Sequence, residues 1–155
     1  MSDSSYTTPD WFWEAIDTKP ESGFVDVEGS DINYLYWSEP GNPGLLFVHG
    51  HNAHSHWWDF IAPSYKDDYQ SVAVDMSGMG DSDHRDEYSA DLYAQEIVAV
   101  ADKCSMGPDT ILVSHSYGGI MSIRAVAQYP DRFKGLVLLD SRVTHPDDVT
   151  PTEPA

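Results

Sequence analysis

Four short apolar runs, each closed by a polar or charged residue, constrain this chain more than any other feature. They are Leu45, Leu46, Phe47 and Val48 before His49, residues 71–74 before Asp75, residues 110–113 before Ser114, and residues 135–139 before Asp140. Each is too short for a stable helix and is unbroken instead of alternating, the pattern of strands covered on both faces. Between them lie helical stretches. Residues 89–103 repeat Leu92, Tyr93, Ile97, Val100 and Ala101 at helical spacing, residues 119–129 run up to Pro130, and residues 55–65 carry Trp57, Trp58 and Ile61. This alternation predicts an α/β fold with a mostly parallel sheet and flanking helices. Ahead of it, residues 23–27 and 32–37 predict an antiparallel pair joined by a turn over 28–31, and Asp10 is placed to cap a short helix over 11–16.

Composition narrows the function. The 155 residues suffice for one domain, and 41% apolar with 22% charged residues is a globular balance. Acids outnumber bases 26 to 8, a formal charge of −18. Such a surface argues against nucleic-acid partners and against docking on anionic membranes. The acids are mostly Asp, 19 against 7 Glu, facing 4 Lys and 4 Arg; the excess fits a strongly solvated surface or one adapted to high salt. The single cysteine, Cys104, excludes an internal disulfide and a cysteine-cluster zinc site. With no long apolar run and no signal-like N-terminus, the expected location is cytoplasmic.

The motif richest in chemistry is Val113, Ser114, His115, Ser116, Tyr117, Gly118 and Gly119, which joins a strand directly to a helix. A nucleophile on such a turn stands above the sheet, and the residues two before and two after it must be small. Ser114 and Gly118 meet that need around Ser116. The helix that follows offers free N–H groups to developing negative charge. His115 is expected to turn its ring away into the fold. A second motif, His49, Gly50, His51 and Asn52, ends a strand in a polar loop. The backbone N–H groups of His51 and Tyr117 are the candidate oxyanion donors, Gly50 lets the loop curl over the site, and His49 is expected chiefly to pack by hydrogen bonds. A third, Asp75 through Ser82 with Gly78 and Gly80, reads as a structural loop. His49, His51, His54 and His56 invite a metal, but their spacing fits a solvated loop better; no metal and no cofactor is expected. Trp57 and Trp58 could line an apolar pocket, but core packing is the expected role.

Taken in order, His49 and Gly50, the loop from Asp75 through Gly78 and Gly80 to Ser82, the elbow Ser116 and the strand ending Leu138, Leu139 and Asp140 resemble the N-terminal part of the α/β-hydrolase fold superfamily. The resemblance implies a triad running nucleophile, acid, histidine along the chain. It also implies esterase-like chemistry, because the family's dehalogenases and epoxide hydrolases carry Asp at the elbow. Ser114 stands where the family usually has glycine. Asp140 is at a strand end where some members place the acid. Of seven histidines only His145 follows Ser116, and the 39 residues after it are too few for the family's further strands, lid and late histidine.

The expected organisation is therefore an N-terminal segment over 1–22, an α/β-hydrolase core over 23–141 and an irregular tail over 142–155. The expected function is a serine-type hydrolase acting on a small-molecule ester or related acyl bond, with Ser116 as nucleophile. The alternative is a non-catalytic fragment, or a half-domain that pairs with itself or with a complementing C-terminal half.

Overall fold

Strand β1 (Glu21–Val27) pairs antiparallel with β2 (Ser30–Tyr36), with Glu21 opposite Tyr36 and Val27 opposite Ser30. The turn is two residues, Glu28 at φ 51° and Gly29 at φ 79°, the doubly positive pair that matches the twist of a hairpin. It is tighter than the four-residue turn the sequence predicts. The computed structural model describes residues 6–143.

Beyond the hairpin, the chain alternates as its pattern predicts. β3 (Gly44–Val48), β4 (Gln70–Val74), β5 (Ile111–His115) and β6 (Gly135–Leu139) form the rest of a six-stranded sheet in the order β1-β2-β4-β3-β5-β6. β2 meets β4 antiparallel, and the pairs β3–β4, β3–β5 and β5–β6 are parallel. Every residue of β3 and β4 is buried. Helix α2 (Ala90–Lys103) starts from Ser89, whose side chain accepts the N–H of Leu92, a cap worth about 1 kcal/mol. Helix α3 (Tyr117–Gln128) ends before Pro130, which sits in a short 3₁₀ turn.

Strand alternation divides the core. Leu46, Val48, Val72, Val74 and Leu112 face α2 and α3 and pack with Ile97, Val100, Met121 and Ala125. Leu45, Phe47 and Ala73 face the other way, against Trp58 and Ala62. Each such side chain contributes about 1.5–3 kcal/mol on full burial. The cover on this second face departs from expectation. Residues 55–65 form two 3₁₀ turns, Ser55–Trp58 and Ala62–Tyr65, instead of one helix. The N-terminal helix α1 (Asp10–Asp17) follows Pro9 with no side-chain cap, so Asp10 is its first residue, not its cap. Phe12 of α1 stacks on Phe60.

The chain crosses from β3 outward to β4 and then back past β3 to β5. The carboxyl ends of β3 and β5 therefore flank the point where strand order reverses, the crevice in which open α/β sheets hold their sites. β3 delivers His49 and Gly50 to that crevice, and β5 delivers Ser116. Among the described residues no helix is long and apolar enough to cross a membrane.

Candidate active site

Ser116 holds φ 52° and ψ −122°, a backbone conformation L-residues rarely adopt, at a cost of order 1–3 kcal/mol. Its neighbours hold it there. The Ser116 N–H donates to the carbonyl of Leu139 at 2.9 Å, and the N–H of Gly119 donates to the Ser116 carbonyl at 3.0 Å. Two residues before it, buried Ser114 hydrogen-bonds Ser122 of α3, Oγ to Oγ at 2.6 Å. Two residues after it, Gly118 is pressed against the carbonyls ending β3; a Cβ there would lie 2.7 Å from the oxygen of Val48 and closer still to that of His49. Ser116 begins α3 without spending its side chain on a cap, and among the described residues its Oγ has no hydrogen-bond partner. The hydroxyl is left unengaged.

The loop after β3 runs directly over this turn. A Cβ on Gly50 would stand 3.2 Å from Cβ of Ser116 and 3.0 Å from Nδ1 of His115. A side chain at position 50 would have to push these neighbours back by a few tenths of an ångström. His51 follows, its ring edge-on to that of Tyr117 with centroids 5.8 Å apart. Among the described residues, the backbone N–H of neither His51 nor Tyr117 has a partner.

His49 sits fully buried behind the loop. Its Nε2 accepts the N–H of Met76 at 3.1 Å, and its Nδ1 lies 2.7 Å from the carbonyl of Gly50. A carbonyl only accepts, so Nδ1 carries the proton and the ring is neutral. Burial lowers its pKa, against the pull of the Gly50 carbonyl and the Asp75 charge. It braces two loops and does not line the cavity.

Asp75 is a hub for the same region. Burial alone pushes its carboxyl upward, but the N–H groups of Asp81 and Ser55 and the amide of Asn33 outweigh that and bring the pKa below its ordinary value. Gly80, at φ 57°, is packed so closely on the Asp75 carboxylate that a Cβ would overlap it. The structural reading of this loop thus has a specific cause. Sequence reasoning missed the brace beside it: Glu96 of α2, fully buried, accepts the N–H of Ser77 at 2.9 Å and the Nε of Arg85 at 2.9 Å. Arg85 also donates to the carbonyl of Val27.

A cavity of about 520 Å³ opens at Ser116. The loop residues from Gly50 to His54 line it together with His56, Trp57 and His115. Two expectations are corrected here. His115 does not turn into the fold: as the last residue of β5, its side chain alternates to the cavity side, where it stacks on Trp57 at 5.2 Å and 15°. Trp57 is 48% exposed while Trp58 is 2% exposed, because the 3₁₀ turn sends consecutive side chains in different directions. Asp140, at φ 50°, is exposed at the end of β6, and its carboxylate makes no hydrogen bond among the described residues. His145 lies outside the described residues. His56 hydrogen-bonds Asp59 at 2.8 Å, and among the described residues no three His, Cys, Asp or Glu side chains are grouped to hold a metal ion.

These features have known counterparts. Residues 43–154 match the α/β hydrolase fold family. The chain belongs to that family. It is 28% identical over 132 residues to the cis-3-alkyl-4-alkyloxetan-2-one decarboxylase of Shewanella oneidensis, covering 83% of this chain and 41% of that one. It is 29% identical over 121 residues to epoxide hydrolase 1 of Caenorhabditis elegans, covering 76% of this chain and 30% of that one. Among solved structures, it superimposes on a membrane phospholipase A described as a bacterial virulence factor, with a TM-score of 0.75 and 26% identity, over 88% of this chain and 43% of that one. The chain thus spans well under half the length of these relatives.

Proposed function

We propose that this α/β-hydrolase-fold chain carries the nucleophile and oxyanion site of a serine hydrolase acting on an ester or related acyl bond. The observation that supports it most is Ser116 itself: strained, at the carboxyl end of β5, in a cavity, with a hydroxyl bonded to nothing among the described residues. Ser116 Oγ attacks the acyl carbon and loses its proton to a base, the oxyanion rests on the N–H groups of His51 and Tyr117, and the alcohol departs with a proton. Water then attacks the acyl-Ser116 ester, freeing the acid and restoring the hydroxyl. The epoxide hydrolases that this fold resembles carry Asp at the elbow, so Ser116 favours acyl chemistry over epoxide opening in this reading.

The test is covalent labelling with a fluorophosphonate and turnover of an activated ester. Ser116→Ala is expected to abolish the labelling and, where the chain alone or with a complementing half turns over the ester through a complete triad, to remove nearly all of that turnover, since loss of the nucleophile in such triads costs on the order of 10⁶ in rate. Labelling that survives the substitution overturns the assignment.

A second reading rests on β6. Among the described residues no imidazole hydrogen-bonds Ser116, and β6 pairs on one side only, with Val137 and Leu139 over 40% exposed. On this reading the site works fully only when a further strand covers β6 and the triad is completed. The 155-residue chain alone then shows residual turnover, about 10³–10⁴ over water from the oxyanion donors. Ordinary esterase turnover by a clean monomer refutes it.

A further inference from the structure

We infer that the Trp57–His115 stack is the acyl-binding wall of the Ser116 cavity and selects substrates whose acyl group is a flat aromatic ring. The inference rests on the Ser116 reading and adds the substrate class.

Trp57 is out of place as a structural residue. Its neighbour Trp58 is packed against Phe47, centroids 5.0 Å apart, and supplies what the core needs from this turn. Its indole is 48% exposed and lines the cavity, where its apolar face is open to a bound group. It is also held in place before any ligand arrives. The backbone N–H of Trp57 donates to the carbonyl of His54 at 3.0 Å, and the turn is anchored by the backbone N–H of Ser55 on Asp75 Oδ1 at 2.6 Å. His115 is the last residue of β5 and directly precedes Ser116. Both sides of the stack are thus set by elements that also set the nucleophile, and such pre-organisation reduces the ordering cost of binding.

Position gives the stack its role. Trp57 and His115 line the same cavity as Ser116, so a group attached to a carbonyl carbon at Ser116 Oγ has this wall to lie against. In this stack His115 covers one face of the indole, the two rings inclined by only 15°, so what Trp57 offers the cavity is its one free face, a flat surface matched to a ring better than to a puckered alkyl group. Charge agrees. The chain carries 26 acidic residues, yet no Asp or Glu lines this cavity, so the electron-rich face of an aromatic ring meets no carboxylate there.

The test uses the full chain with Ser116→Ala and two neutral, non-covalent probes of similar size, 4-methylbenzamide and 4-methylcyclohexanecarboxamide, titrated by NMR. Aromatic pairing predicts that the flat ring binds about 3- to 10-fold tighter. Trp57→Ala is expected to erase that preference, and Trp57→Phe to keep part of it. Thermal melts of both variants confirm the fold, and Trp57→Phe with an intact melt carries the test if Trp57→Ala does not fold. Equal binding of the two amides, no binding of either, or a preference that survives Trp57→Ala overturns the inference. Because the nucleophile is absent from this experiment, its failure leaves the Ser116 assignment standing, whereas retained fluorophosphonate labelling in Ser116→Ala removes that assignment and leaves the wall measurable.

Discussion

Gly118 and His49 are in backbone contact: the first turn of α3 lies against the carbonyl of His49 at the end of β3, with no room for a Cβ between them. This contact ties the elbow to the strand that leads into the loop bearing His51, the proposed oxyanion donor. Gly118→Ala is therefore expected to move α3 away from β3. Overpacking of this kind costs typically 1–3 kcal/mol, and rigid backbone on the opposing side puts this case at the upper end. A thermal melt reads the loss, and labelling of Ser116 by a fluorophosphonate is expected to slow with it. A Gly118→Ala chain with unchanged melting would show that the two elements can separate freely.

His49 links the same region to pH. Its neutral ring accepts the Met76 N–H, so protonation at Nε2 breaks that bond. Burial lowers its folded pKa beneath the ordinary 6.5. The unfolded chain then binds the proton more readily, so this contribution is present above pH 6.5 and is lost as pH falls below it. Asp75, also lowered, adds a second loss further down, below its ordinary 3.8. His49→Gln keeps an acceptor and a donor but does not titrate. The wild-type melting temperature is expected to drop between pH 7 and pH 5 by more than that of His49→Gln. Parallel profiles over that range would remove His49 as the cause.

Much of this arrangement is legible in the sequence, and what is not has identifiable causes. Unbroken apolar strands reveal a two-sided parallel sheet, because only burial on both faces tolerates Leu45 through Val48 without a polar break. Ser114 and Gly118 reveal the elbow, because close packing there admits only small residues. Residues 55–65 mislead, since their apolar residues Trp57, Trp58 and Ile61 suit a helix while Pro63 and the short span support only 3₁₀ turns. His115 misleads because the direction of one ring at a strand end follows from pleat and twist, not from residue type. Glu96 is invisible from sequence: a lone acid in an acidic helix looks solvated until Arg85, 11 positions earlier, folds back onto it.

That pair yields its own expectation. Glu96 and Arg85 are 0% and 6% exposed, and removing one partner of a buried pair is destabilising by about 3–5 kcal/mol because the other charge is stranded. Glu96→Ala also frees the Ser77 N–H and loosens the loop over 76–89. Chemical denaturation is expected to show the loss, and limited proteolysis to cut within 76–89 first. A variant that matches wild type in both measurements would make the pair dispensable.

The last expectation joins the −18 charge to the edge of the sheet. β6 offers a bare edge among the described residues, with Val137 and Leu139 partly exposed beside it, and such an edge is a template for pairing. The strand is flanked by Lys134 and Asp140. Two copies of β6 set antiparallel about Val137 place Lys134 opposite Asp140 of the second copy at both ends, a favourable cross-strand arrangement. Against this stands repulsion between two strongly acidic chains. Its range is about 30 Å at 0.01 M salt and about 3 Å at 1 M. Salt therefore favours association by shortening that repulsion between whole chains, which outweighs its screening of the two Lys134–Asp140 pairs, and it stabilises each chain by relieving the self-repulsion that loosens it. Light scattering during size-exclusion chromatography is expected to show monomer in dilute buffer and a growing dimer toward molar NaCl, with a rising melting temperature. Val137→Lys, which puts a charge beside its own copy at the centre of the pairing, is expected to hold the chain monomeric at every salt concentration. A dimer that persists in Val137→Lys would move the interface elsewhere, and a monomer with a flat melting temperature across the salt range would reduce the acid excess to simple solubility.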